Sequence, residues 1–267
     1  MAPNNETPPT LPKTMKAWTV VRNSKTDLKN ALQLRTDVPA PSAPPTGANI
    51  LVKISHAAIN PVDLHFINIL PTWLPFRRTA IPGMDFVGEI VSLGPGVNDP
   101  ALREGVQVGG TLTAGRIAFG AGTLAEYVVV PADSVAVKPE GMSPAQAAGM
   151  MGVAGQTSVI MVREADLKPG QRVLVIGASG GVGSVLTQVL KGKGAVVYAI
   201  CSGANAEMVR RLGADEVSFY VLPVWMQAMR TAGVDVMQRI GDRLQGPRPR
   251  GEVSDGKVQR RAAGRHL

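Results

Sequence analysis

The chain has 267 residues, 45% of them hydrophobic, enough for one large or two modest domains with real cores. Its 30 glycines and 21 prolines suit a turn-rich protein but are too few and too aperiodic for a collagen-like or low-complexity chain. Of the net charge of +8, residues 221–267 carry nine Lys and Arg against four Asp and Glu, whereas residues 1–220 carry nineteen against sixteen. The basicity therefore belongs to the tail, and no basic patch with interleaved aromatics argues for nucleic-acid binding in the body.

Residues 1–14, rich in proline and asparagine, have no apolar h-region and no arginine, so they read as a disordered leader rather than a targeting peptide. No apolar run reaches the roughly 18–20 residues of a membrane span. Cys201 is the only cysteine, which excludes an internal disulfide and makes a cytoplasmic setting the default expectation.

From Met15 the chain reads as β structure. MKAWTVV, ANILVKISHAAIN, MDFVGEIVSLG and TLAEYVVVP are four strand-like runs, closed respectively by loop residues, Asn60-Pro61, Gly94-Pro95-Gly96 and Pro131. Their spacing predicts a barrel-like all-β module over about residues 15–140. LPTWLPFRRTAIPG is a proline-broken loop, either a wall of a binding site or plain surface. Ser143 followed by Pro144 predicts a helix start, and the small and apolar residues from there to Asp166 predict buried connecting helices.

Next comes a βαβ pattern: the strand RVLVI, the turn GASGGVG, the helix SVLTQVLKGKG and the strand AVVYAI. Gly177 can take the tight turn. Gly180 and Gly181 allow backbone to approach a pyrophosphate, and Gly183 allows helix-on-strand packing. The run Ala178, Ser179, Gly180, Gly181, Val182 and Gly183 is thus the predicted cofactor cradle, with free N–H groups and the helix dipole favouring phosphate. The glycine spacing is one residue wider than the usual fingerprint, and the absence of Gly-Lys-Ser/Thr excludes a Walker loop. The bland alternative is a tight βα turn and nothing more.

The second strand chooses the cofactor. An acid about twenty residues after the first glycine would hold the ribose 2′-OH of NAD. Here that window is VVYAICSG, without an acid, and Ser202 stands where a 2′-phosphate would lie, with Arg210 and Arg211 beyond. The absence of repulsion and the nearby cations favour NADPH, although the arginines also fit a solvated helix face.

Together INPVDL, PGMDFVGEI, GTLAEYVVVP, VLVIGASGGVG and RRLGADEV, in that order over residues 15–220, resemble the medium-chain dehydrogenase/reductase superfamily, in particular its zinc-independent quinone oxidoreductase and enoyl reductase branch. The resemblance implies an α/β chain: a GroES-like β-barrel catalytic domain over 15–142, then an incomplete Rossmann domain, a doubly wound parallel sheet, over 143–220. Residues 221–267 form an atypical basic tail, expected to be partly disordered. The implied chemistry is hydride transfer from NADPH to an enone, a quinone or an enoyl substrate. Asn60 and His65 are the implied catalytic-pocket residues. Thr157 would face the nicotinamide or else serve helix packing, and Ser202 and Tyr220 would meet the adenine ribose phosphate. Tyr127 reads as barrel core.

Zinc-dependent relatives place Cys at Asn60 and Gly-His-Glu at Gly83-Met84-Asp85, and neither Asn60 nor Met84 replaces those ligands. His56, Asp63 and His65 are close in sequence but read as one strand residue and two loop residues. No metal is expected. The second half of the nucleotide-binding sheet and the family's dimerisation strand have no counterpart in the tail, which argues against the family dimer. It also leaves an alternative reading: a truncated, non-catalytic relative that binds nucleotide weakly.

Overall fold

A computed structural model of the chain describes residues 11–24, 28–68, 72–74 and 79–219. The first strand, β1 (Thr14–Val20), pairs antiparallel with β2 (Leu32–Pro39) across the short helix α1 (Leu28–Ala31). Then follow β3 (Asn49–Ala58), α2 (Pro61–Asn68), β4 (Asp85–Leu93), β5 (Gln107–Thr111), α3 (Ala114–Ala118), β6 (Tyr127–Pro131) and β7 (Val135–Val137). Five of these strands form one antiparallel sheet in the order β6-β3-β4-β5-β7. A single bridge from Ala17 to Ala125 ties the β1–β2 pair to it.

Alternation drives this sheet. Ile50, Val52, Phe86, Ile90, Val108, Val128 and Val130 are buried in one cluster with Leu112 and Ile117. Each large side chain fully buried contributes about 1.5–3 kcal/mol. The four strands expected from the sequence are all present, TLAEYVVVP as the shorter β6. Tyr127 packs against the Met15, Ala17, Val38 and Ile81 cluster. The expectation of an all-β module is corrected, because three short helices interrupt it.

The connecting helices are α4 (Pro144–Met150) and α5 (Val153–Glu164). Ser143 caps α4 as expected, its hydroxyl accepting from the Gln146 N–H while the Gln146 side chain accepts from the Ser143 N–H. The βαβ pattern follows as β8 (Arg172–Ile176), α6 (Gly181–Gly192) and β9 (Val196–Cys201), then α7 (Ala206–Arg211) and β10 (Glu216–Phe219). The three strands are parallel in the order β10-β9-β8, the arrangement of one half of a doubly wound sheet. Val173, Val175, Val197 and Ala199 bury against Leu186, Leu190 and Val209 from α6 and α7. The expected α/β class, an antiparallel sheet module followed by a Rossmann-like parallel sheet, is therefore observed. No helix among the described residues is long and apolar enough to cross a membrane.

Candidate active site

The glycine turn joins β8 to α6. Gly177 adopts φ +74°, the left-handed conformation the sharp turn requires. At Gly183 a Cβ would lie 2.2 Å from the Gly177 carbonyl oxygen, so only glycine lets α6 pack this close. Gly180 caps the helix without a side-chain hydrogen bond. At Gly181 nothing stands within 4 Å of where a Cβ would be, and both Gly180 and Gly181 are exposed. The first-turn N–H groups of Gly181, Val182 and Gly183 take no protein partner among the described residues. A half-buried Ser179 flanks them. Ala178 is different: its side chain is fully buried in the core and its N–H goes to the Ile200 carbonyl at 3.0 Å.

At the end of β9, Ser202 is exposed and its hydroxyl accepts from Asn205 Nδ2 at 3.0 Å. Arg210 is exposed on α7. Burial pushes the Cys201 thiol pKa up, and the Arg210 charge opposes that rise. Arg211 is tied to Glu207 one turn away on the solvent face. Of the two arginines, Arg210 is the one whose charge acts on Cys201 at the end of β9. Tyr220 lies outside the described residues.

Asn60 stands between β3 and α2. Its backbone N–H donates to Asp63 Oδ2 at 2.7 Å, while the Asp63 N–H donates back to the Asn60 carbonyl. Pro61 occupies the first position of α2. This cap is why Asp63 and His65 lie on a helix, not in the loop expected from the Asn60-Pro61 strand end. His65 is exposed on α2 and His56 is exposed on β3. Asp63 is 3% exposed with Oδ1 unpartnered; burial first, then the nearby Asp85 charge, raises its pKa, against the Asn60 N–H that lowers it.

The Asn60 side chain reaches elsewhere. Its Nδ2 donates to Asp85 Oδ2 at 2.7 Å, and both Asp85 oxygens accept from the Val153 N–H at the start of α5, each at 3.0 Å. One turn further along α5, Thr157 is half-buried. Its neighbour Ser158 is fully buried, with the hydroxyl in reach of the Ala154 carbonyl at 2.8 Å and the Val182 carbonyl at 3.2 Å. The structure thus links Asn60, the helix of Thr157 and the glycine turn into one network. Asp85 and Ser158 are members of it that sequence reasoning missed, as it missed Asn205, which donates to Ser202 at the end of β9. An aspartate opening the apolar run MDFVGEI was the available signal, because a buried carboxylate needs donors. Met84 packs into the hydrophobic cluster of the sheet. Among the described residues no three His, Cys, Asp or Glu side chains gather as a metal site. A groove of about 620 Å³ also opens beside α5, walled by β5, β7 and α4 rather than by Asn60 or the turn.

Residues 46–140 match the alcohol dehydrogenase GroES-like domain. A trans-enoyl reductase of Aspergillus terreus is 34% identical over 227 residues, covering 79% of this chain and 60% of that protein. The chain belongs to the medium-chain dehydrogenase/reductase superfamily. Among solved members, the quinone oxidoreductase of Coxiella burnetii is 30% identical with a TM-score of 0.64, over 78% of this chain and 63% of that one. A mycobacterial protein solved in complex with NADPH is 25% identical with a TM-score of 0.61, over 81% and 62%. The chain spans about three-fifths of the length of the curated superfamily members it matches, 61% and 60% for two fungal reductases.

Proposed function

We propose that the chain is a zinc-free, NADPH-dependent reductase of α,β-unsaturated carbonyls or quinones. The observation that carries this reading is the glycine turn. Three uncommitted N–H groups at the start of α6 stand beside exposed, Cβ-free backbone, and hydrogen-bonded residues connect that turn to Asn60. Gly180, Gly181, Val182 and Gly183 would hold a pyrophosphate on the helix dipole, with Ser179 at the rim. Ala178 supports the turn from beneath. Ser202, presented by Asn205, and Arg210 suit a 2′-phosphate, and the strand end carries no acid to repel it.

When bound, the nicotinamide supplies the hydride, received by the β-carbon of the acceptor. Asn60 and Thr157 would orient the reacting groups, with Asn60 offering its remaining N–H to the carbonyl oxygen that gains charge. A proton from water then completes the α-carbon. Asn60 donates to a carboxylate and Met84 is packed in a core, so neither stands ready as a zinc ligand. In this reading residues 15–142 form the catalytic domain and 143–220 the nucleotide-binding one. A trans-enoyl reductase and a quinone oxidoreductase among its relatives support the substrate class.

NADPH titration of the full chain, followed by fluorescence, should show micromolar binding tighter than that of NADH. Enone- or quinone-dependent NADPH oxidation should follow. Tighter NADH binding overturns the cofactor assignment. Among the described residues the parallel sheet has three strands, which favours a second reading, a nucleotide binder without turnover; NADPH binding with no acceptor-dependent oxidation would establish it.

A further inference from the structure

Asp85 is 1% exposed at the head of β4, and the hydrogen bonds that meet its carboxylate come from an amide and a backbone N–H rather than from a cation. Two elements distant in sequence depend on it. The first is α5, whose N-cap is Gly152, a residue with no side chain to satisfy the helix start. A Cβ at Gly152 would lie 2.2 Å from Asp85 Cγ, so the glycine makes room for a capping carboxylate from another strand. The second is Asn60. With its NH₂ group against Asp85 Oδ2, the amide cannot flip, because flipping would set acceptor against acceptor. Asn60 Oδ1 and the second Nδ2 hydrogen are thereby held facing away from Asp85.

The same helix carries Thr157 one turn beyond the capped Val153, and Ser158 joins it to the Val182 carbonyl in the cradle. We propose that Asp85 is the positioning residue of this site, a single carboxylate that fixes the orientation of the Asn60 amide and the start of α5 so that Asn60, Thr157 and the glycine turn address one ligand. The proposal rests on reading that turn and Asn60 as an NADPH site. It makes Asp85 act through Asn60, which a cap of α5 alone would not do.

The test is a double-variant cycle on the full, ¹⁵N-labelled chain. The Asn60 side-chain amide signals, assigned by their loss in Asn60→Ala, should move in Asp85→Asn and lose their response to NADPH. Asp85→Asn should weaken NADPH binding about tenfold in the native chain and less than about twofold on the Asn60→Ala background. Acceptor-dependent turnover should fall in kcat with KM nearly unchanged. Equal losses on both backgrounds, or an unmoved Asn60 amide, overturn the proposal and leave Asp85 a helix cap.

If Asp85→Asn does not fold, the pair Asn60→Asp/Asp85→Asn decides. That pair exchanges the donor and acceptor ends of the hydrogen bond, and the amide oxygen it introduces at position 85 still accepts from the Val153 N–H. Recovery of folding supports the coupling; continued unfolding overturns it. If the native chain gives no NADPH response, the cofactor reading falls, and the dependence of the Asn60 amide on Asp85 judges the positioning by itself.

Discussion

The two sheets of this chain bury their faces to different degrees. The antiparallel sheet β6-β3-β4-β5-β7 encloses a cluster in which Ile50, Val52, Phe86, Ile90 and Val130 are at most 1% exposed. The parallel sheet β10-β9-β8 is covered on one face by α6 and α7, where Val173, Val175 and Val197 are buried. Its other face is covered less completely: Ile200 is buried, but Leu174, Val196 and Tyr198 are intermediate and Ile176 is 47% exposed. Parallel sheets are ordinarily covered on both sides. Stability here should therefore reside in the first region. The second should depend on a few contacts around the glycine turn, the same contacts the proposed site uses.

The largest effect should come from Phe86→Ala. It opens a cavity in the complete core and should cost about 3–5 kcal/mol, read as loss of the main unfolding transition in denaturant. A cost below about 1 kcal/mol would mean that the antiparallel sheet does not hold the molecule together. Next is Gly183→Val, which drives a branched side chain into the Gly177 carbonyl. It should cost about 1–3 kcal/mol and abolish NADPH binding, with the loss in hydrogen-exchange protection confined to β8, α6 and β9. Loss of protection across β3 and β4 as well would erase the contrast between the regions.

The glycine turn and its flanking strands were legible because their signals are local: apolar strand, glycine at the φ > 0 position, amphipathic helix. The strand β5 was not, since QVGGT has two glycines where a strand pattern wants side chains, and only its neighbours β4 and β7 hold it extended. The helix α2 was hidden because Asn60-Pro61 ends a strand and starts a helix at once. In the proposed site, Asn60, Ser202 and the cradle could be named as candidates from the chain. The role of Asp85 could not, because its donors sit 25 residues before and 68 residues after it and meet only in the fold. The exposure of His65 was equally unreadable from a short sequence window.

Asp63 offers a smaller and pH-dependent effect. Its carboxyl is held above the ordinary 3.8 by burial and by Asp85. The native state therefore binds this proton more tightly than the unfolded chain does. The favourable contribution is complete below the unfolded pKa and is lost as pH rises through the native one. Asp63→Asn keeps an oxygen for the Asn60 N–H and removes the buried charge, so at pH 7 it should stabilise the chain by about 1 kcal/mol, or about 2–4 °C in Tm. The advantage should shrink as pH falls through the raised native pKa and be gone below the unfolded value of 3.8, where the acid is protonated in both states. A variant less stable at pH 7 would show that the Asp63 charge is satisfied.

The smallest change in stability is expected at the open face. Ile176 ends β8 next to the turn, and with nearly half its surface exposed it contributes little to the core. Ile176→Thr keeps a β-branched strand residue and should change unfolding free energy by less than about 0.5 kcal/mol. The larger consequence should be colloidal. A parallel sheet with an apolar, partly covered face is prone to self-association. Ile176→Thr should then lower the concentration-dependent light scattering of the folded chain while Phe86→Ala raises it. Unchanged scattering, with a stability loss above about 1 kcal/mol, would show that Ile176 belongs to a packed interior and that the second sheet is covered as fully as the first.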